Sequence, residues 1–199
     1  NPIIIVVSNP LDVMTYVAYK KSGLSSNRVM GMAGVLDTAR YRAFLSMELN
    51  VSVRDIQAVL MGGHGDTMVP LPRYTTVSGI PVTELVEADK LEAIINRTKK
   101  GGGELVGLMG TSAWYAPGSA AAQMVAAIVR DEQRIFPVCG WLTGQYGIND
   151  LYLGVPAKLG INGIEQIIEL KLNEEEKALL AASEIAVREV VDSYNAMGV

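Results

Sequence analysis

Apolar residues fall into distinct runs along this chain, and their spacing predicts its elements. Ile3 to Val7 is an unbroken β-branched run, the pattern of a central strand covered on both faces. Ser8-Asn9-Pro10 ends it. A helical stretch follows from Asp12 to about Lys21, with Val13, Met14 and Val17 apolar and Gly23 closing it. Arg28 to Ala33 reads as a second short strand. Strand, helix, strand implies a parallel crossover. Ligands of such sheets bind beyond the carboxyl ends of the strands, which predicts Asn9 and Gly34 at the binding edge.

From Val35 to Leu49 the spacing predicts a long helix with Leu36, Ala39, Ala43 and Met47 as its buried stripe. Ile56 to Met61 reads as one buried strand. Met68 to Gly79 reads as a strand interrupted by Pro70 and Pro72, with Ile80-Pro81 as a turn. Asp89 to about Leu108 is helical in pattern, broken or bent at Lys99-Lys100-Gly101-Gly102-Gly103. No Lys-Ser/Thr pair follows those glycines, so they predict a helix junction rather than a phosphate loop. Ser112 to about Val129 is a further helix with Pro117 near its start. Arg134 to Tyr146 and Leu151 to Leu159 predict an antiparallel pair, and Ile164 to Leu170 a third short strand. Asn173 caps a final amphipathic helix from Glu174 to about Met197. The fold class predicted is α/β: the end of a doubly wound parallel sheet, then an α+β region with antiparallel strands.

Composition narrows the function. Of 199 residues 49% are apolar and 19% charged, which suits a packed core rather than disorder. A net charge of −4 gives no basic footprint and argues against nucleic acid as a partner. No apolar run approaches the ~20 residues of a membrane span. The single Cys139 excludes an internal disulfide, and one Cys with one His cannot form a Cys/His zinc site. Cys139 reads as a buried small hydrophobe, and its solitude suits a reducing, cytoplasmic setting. Asn1-Pro2 leads straight into the first strand without an initiator Met, which reads as a chain entered in the middle of a fold.

The candidate chemistry centres on Met61-Gly62-Gly63-His64-Gly65-Asp66. His64 is the only histidine, placed just past a strand between glycines that let a ligand or backbone come close. Its reference pKa of about 6.5 suits proton transfer near neutrality. Taken alone, it reads as an inert loop residue, and its Gly-Gly-His-Gly-Asp setting reverses that reading. Asp37 and Arg40 stand three apart and share a helix face, either as a surface ion pair or as part of a site. The Gly-x-Ser-x-Gly turn of serine hydrolases is missing.

Val7-Ser-Asn-Pro-Leu-Asp12, Gly34-Val-Leu-Asp-Thr-Ala-Arg40 and Gly62-Gly-His-Gly-Asp66 stand in the order and spacing of the lactate/malate dehydrogenase family, which the chain resembles throughout. Met61-Gly-Gly-His-Gly-Asp-Thr-Met-Val-Pro-Leu71 and Leu142-Thr-Gly-Gln-Tyr-Gly147 are similar to its lactate-dehydrogenase-like bacterial malate dehydrogenase branch in particular. The resemblance implies reversible hydride transfer between malate or oxaloacetate and NAD. It implies His64 as acid/base and Asp37 as its carboxylate partner, with Asp66 a rival on sequence grounds. Arg40 would fork to the substrate carboxylate, and Asn9 would touch both substrate and nicotinamide ribose. Val7 and Ser8 would supply backbone contacts to the cofactor, while Asp12 would be a structural cap.

The Gly-x-Gly-x-x-Gly motif of dinucleotide sites and the family's substrate loop do not occur in these residues. The resemblance therefore implies about the last two-thirds of a subunit. Residues 1–36 would close the dinucleotide-binding domain, and residues 37–199 would form the substrate domain. Gly63 and Ala113 stand where lactate dehydrogenases usually carry an acidic residue and a threonine, which favours malate. Lactate or another 2-hydroxy acid remains the alternative substrate, and a non-catalytic fragment the alternative class. NAD against NADP stays open. The family implies a homodimer or homotetramer, and no metal is implied.

Overall fold

The computed structural model describes residues 2–198. Strands β1 (Ile4–Val6) and β2 (Val29–Gly31) pair in parallel through helix α1 (Leu11–Ser22), as the opening pattern predicts. Gly23 ends α1 with φ 65°, a left-handed conformation that glycine takes without steric penalty.

Helix α2 (Gly34–Leu49) follows at once, but it does not bury the predicted stripe. Leu36 is buried with Val35, Thr38, Tyr41 and Leu45, whereas Ala39 is exposed, Ala43 half-buried and Met47 70% exposed. Tyr41 and Leu45 pack against Ile56, Leu60 and Leu91. Two large side chains remove more apolar area from water than two alanines, and that decides which side turns inward.

The run 56–61 divides into β3 (Ile56–Gln57) and β4 (Leu60–Gly62), which join different sheets. After β5 (Met68–Pro70) and β6 (Thr76–Val77), Ile80-Pro81 is not the predicted turn but strand β7 (Ile80–Pro81). The reversal sits at Ser78-Gly79, with φ 50° and 87°, the positive values a tight hairpin needs. Beyond a single helical turn, α3 (Val82–Leu85), α4 (Ala88–Met109) runs unbroken through Gly101-Gly102-Gly103, so the predicted junction is absent. Packing of α4 on α2, with Leu91, Thr98 and Gly101 buried, overrides the low helix propensity of the glycines.

Helix α5 (Tyr115–Val129) carries Pro117 in its first turn, where a missing N–H costs nothing. Strands β8 (Arg134–Thr143) and β9 (Asn149–Gly160) pair antiparallel along their length, and β10 (Gly163–Ile167) adds to β9. Tyr146 falls in the connection, not in β8. The main sheet runs β1-β2-β8-β9-β4-β5 with β10 on β9, and β3-β6-β7 form a smaller one. The parallel and antiparallel parts meet where Gly31 faces Cys139.

Helix α6 (Glu174–Ala196) closes the described fold. Successive strand residues point to opposite faces. Val29 accordingly packs with Leu11, Tyr16, Val187 and Val191 of α1 and α6, whereas Met30 packs with Leu36, Met124 and Ile128 of α2 and α5. The Asn173 side chain accepts the Glu176 N–H at 2.8 Å, and the Glu176 carboxylate accepts the Asn173 N–H at 2.9 Å. Replacing Asn173 with alanine should lower stability by about 1 kcal/mol in urea unfolding, the usual worth of such a cap. Among the described residues no helix is long and apolar enough to cross a membrane.

Candidate active site

His64 stands two residues past β4, on a loop pressed against α6. A Cβ at Gly62 would lie 2.7 Å from Ser183 Oγ, and one at Gly63 would lie 2.8 Å from Val187 Cγ2. Gly62 also has φ 78°. The paired glycines are thus required by close approach of the loop backbone to a helix.

Two helix N-termini fix the histidine. Its backbone N–H donates to Asp12 Oδ2 at 2.9 Å, from the second residue of α1. Its Nδ1 lies 2.8 Å from Asp37 Oδ2, in the first turn of α2. An ionised carboxylate can only accept, so Nδ1 carries the proton in the neutral ring and Nε2 is the nitrogen open to a ligand. Asp37, not the exposed Asp66, is therefore the partner of the imidazole.

Burial works against a charged His64 ring. The hydrogen bond and charge of Asp37, with the charge of Asp12, outweigh both burial and the opposing Arg40, and they raise its pKa above the ordinary value. Asp12 does not cap α1, whose N-cap is Pro10. Its carboxylate turns inward instead, accepting the Cys139 Sγ–H at 3.2 Å on the oxygen not used by His64. Burial raises the Asp12 pKa, partly countered by those two donors. Burial and the neighbouring Asp12 also push the Cys139 thiol up, which leaves it protonated and unreactive, in line with its reading as a small buried residue.

Arg40 completes the group. Its Nη1 donates to Asp37 Oδ1 at 3.0 Å, so the Asp37 carboxylate, 2% exposed, accepts from both the guanidinium and the imidazole. The Arg40 Nε is buried and has no partner among the described residues, which leaves donor capacity on the guanidinium. The glycine run of α4 makes room for this side chain. A Cβ at Gly101 would lie 3.1 Å from Arg40 Cδ, and one at Gly102 would lie 3.8 Å from Nη2.

Val7, Asn9, Arg40 and His64 line one cleft of about 190 Å³. Pockets for drug-sized ligands run to roughly 300–1,000 Å³, so this space suits only the reacting ends of small molecules. Ser8 is exposed but does not line it. Met32, Gly102, Val106, Ser112 and Pro117 also line the cleft and were not expected there; Ala113, singled out on sequence, lies beside them. The glycine triplet was the available signal for the α4 wall. A larger cavity of about 540 Å³ lies between the β8–β9 connection and α6. Its carboxylates are already engaged: Glu169 accepts the Tyr146 N–H, and Glu184 pairs with Arg188. His64 and Arg40 line the smaller cleft and not this cavity.

Residues 34–197 match the model of the lactate/malate dehydrogenase α/β C-terminal domain. The chain belongs to the lactate/malate dehydrogenase family. A malate dehydrogenase of Cytophaga hutchinsonii is 72% identical over 192 residues, covering 96% of this chain and 62% of that relative. The solved malate dehydrogenase of Salinibacter ruber superposes with a TM-score of 0.97 at 60% identity, covering 98% of this chain and 64% of that one. The Plasmodium falciparum malate dehydrogenase in complex with NADH superposes with a TM-score of 0.92 at 37% identity, covering 95% and 64%. The chain spans about three-fifths of the length of these relatives.

Proposed function

We propose that this chain supplies the acid/base and substrate-anchoring residues of an NAD-dependent malate dehydrogenase. The observation that carries the reading is the Asp37 carboxylate holding both His64 Nδ1 and Arg40 Nη1 beside one cleft. In malate oxidation His64 Nε2 accepts the hydroxyl proton as C2 loses a hydride, and the imidazolium formed is stabilised by Asp37. In oxaloacetate reduction the same nitrogen returns the proton. Arg40 turns its free donors to the substrate carboxylate, a planar fork that lysine does not offer. Asn9, three residues past β1, can donate and accept between substrate and cofactor.

A nicotinamide, when bound, supplies the hydride acceptor. The cleft suits such a ring: Val7 is apolar yet 54% exposed at the end of β1, and Met32 and Pro117 line the same space. Val7, Ser8 and Asn9 are the residues that would hold it. The choice of malate over lactate rests on Gly63 and Ala113. At Gly63 a side chain would also meet Thr67 Oγ1 at 2.6 Å, so the acidic residue usual in lactate dehydrogenases would fit only if Thr67 and Val187 shifted. The division at residue 36, a cytoplasmic location and assembly as a homodimer or homotetramer belong to the same proposal.

The test uses the protein expressed from its full reading frame, with NADH oxidation followed on oxaloacetate and on pyruvate. Preference for oxaloacetate is the expected result. A folded protein that binds NADH but turns over neither acid would end the acid/base reading, and preference for pyruvate would end the malate assignment. Replacing Arg40 with lysine should raise KM for oxaloacetate about tenfold or more, the worth of one charge-assisted hydrogen bond. NADH affinity should stay as it was.

A further inference from the structure

The hydroxyl of Ser183 is out of place on its helix. Ser183 is 2% exposed and lies on the α6 stripe with Leu180, Val187 and Val191, all buried in the core. A buried hydroxyl is costly unless it is hydrogen-bonded. Its partner is not on α6: Ser183 Oγ accepts the Gly63 N–H at 2.7 Å. The very next amide, that of His64, donates to Asp12 at 2.9 Å. Neither Ser183 nor Asp12 lines the cleft, so neither is placed to touch a ligand there.

We infer that Ser183 of α6, together with Asp12 of α1, is a positioning residue for His64, the two side chains gripping adjacent backbone amides and so setting where Nε2 presents its proton. Two amides in sequence point towards two different helices, so the peptide between them cannot rotate without breaking one bond. The crowding at Gly62 and Gly63 removes the remaining freedom, because the loop lies directly on Ser183 and Val187. The ring itself is held by Asp37. Backbone and side chain are thus anchored independently, and loss of either anchor tilts the imidazole. The groups facing His64 are Asp37 and Arg40 from α2 and Asp12 from α1, with Cys139 of β8 behind Asp12.

This inference rests on His64 being the acid/base of the proposed reaction, and the experiment separates the two. In the full-reading-frame protein, Ser183→Ala should lower kcat about tenfold by misplacing the base. KM for oxaloacetate and NADH affinity should change less than about twofold, because the substrate anchors remain in place. The pH profile should not move, since no charge is lost. Asp12→Asn keeps the shape but removes the charge, and should move the alkaline limb of oxaloacetate reduction to lower pH. Amide hydrogen exchange supplies a readout apart from activity: Ser183→Ala should lose protection at Gly63, while Ser193→Ala, an exposed control on the same helix, should not. Unchanged kcat in Ser183→Ala overturns the inference, whether or not protection at Gly63 falls. Should Ser183→Ala fail to fold, unchanged kcat and pH profile in Asp12→Asn overturn it instead. An inactive parent protein would remove the functional reading, and the exchange at Gly63 would then decide the clamp by itself.

Discussion

Replacing His64 with glutamine should lower kcat for oxaloacetate reduction by about 10²–10⁴-fold, the range over which a positioned acid/base contributes. Glutamine can still donate a hydrogen bond towards the Asp37 carboxylate. It cannot take up and release a proton near neutral pH. The buried Asp37 keeps Arg40 as a partner in this variant, so the fold and the substrate anchor should survive. KM for oxaloacetate and affinity for NADH are therefore expected to stay within a few-fold of the parent values. Steady-state kinetics and a separate NADH titration check both halves, and a variant that retains most of its kcat would remove His64 from the chemistry.

The second large effect is expected at Asp37. Its carboxylate accepts from His64 Nδ1 at 2.8 Å and from Arg40 Nη1 at 3.0 Å, so Asp37→Asn disturbs the base and the anchor together. A fall in kcat/KM of about a hundredfold or more is expected, since two charge-assisted bonds weaken at once. The pH dependence carries the sign. Burial alone disfavours the imidazolium, and Asp37 is the strongest influence opposing it, so the variant should have a His64 pKa lower than the parent. With His64 as the proposed acid/base, reduction requires its protonated form, and the alkaline limb should move to lower pH. Oxidation requires neutral His64, and its acidic limb should move the same way. Two limbs shifting together identify the base; limbs that stay put would separate Asp37 from it.

Where local chemistry decides, the sequence was legible. Gly23 stops α1 by its left-handed backbone and Asn173 starts α6 through bonds made within a turn of the chain, and both boundaries stand as the residues predict. The spacing of Asp37 and Arg40 needed only that α2 be a helix. What escaped was decided by partners far along the chain. The inward side of α2 depends on what Tyr41 meets, and α4 crosses its glycines because Arg40 and α2 lie against them. Ile80-Pro81 became a strand because Ser78-Gly79 turned first. The resemblance implied a cap at Asp12, but the loop it holds begins some fifty residues later. Ser183 left one trace, a hydroxyl at helical spacing from Leu180 and Val187, which only the position of the loop could interpret.

The grip on the His64 loop also has an order in time. Asp12 and Asp37 leave the ribosome before His64 does, whereas Ser183 follows Gly63 by 120 residues, a delay of about 6–24 s at the usual pace of synthesis of roughly 5–20 residues per second. Through that interval the nascent loop has its carboxylates but not its hydroxyl. If His64 is the proposed acid/base, the newborn chain therefore acquires that group early and completes its grip only when α6 has docked.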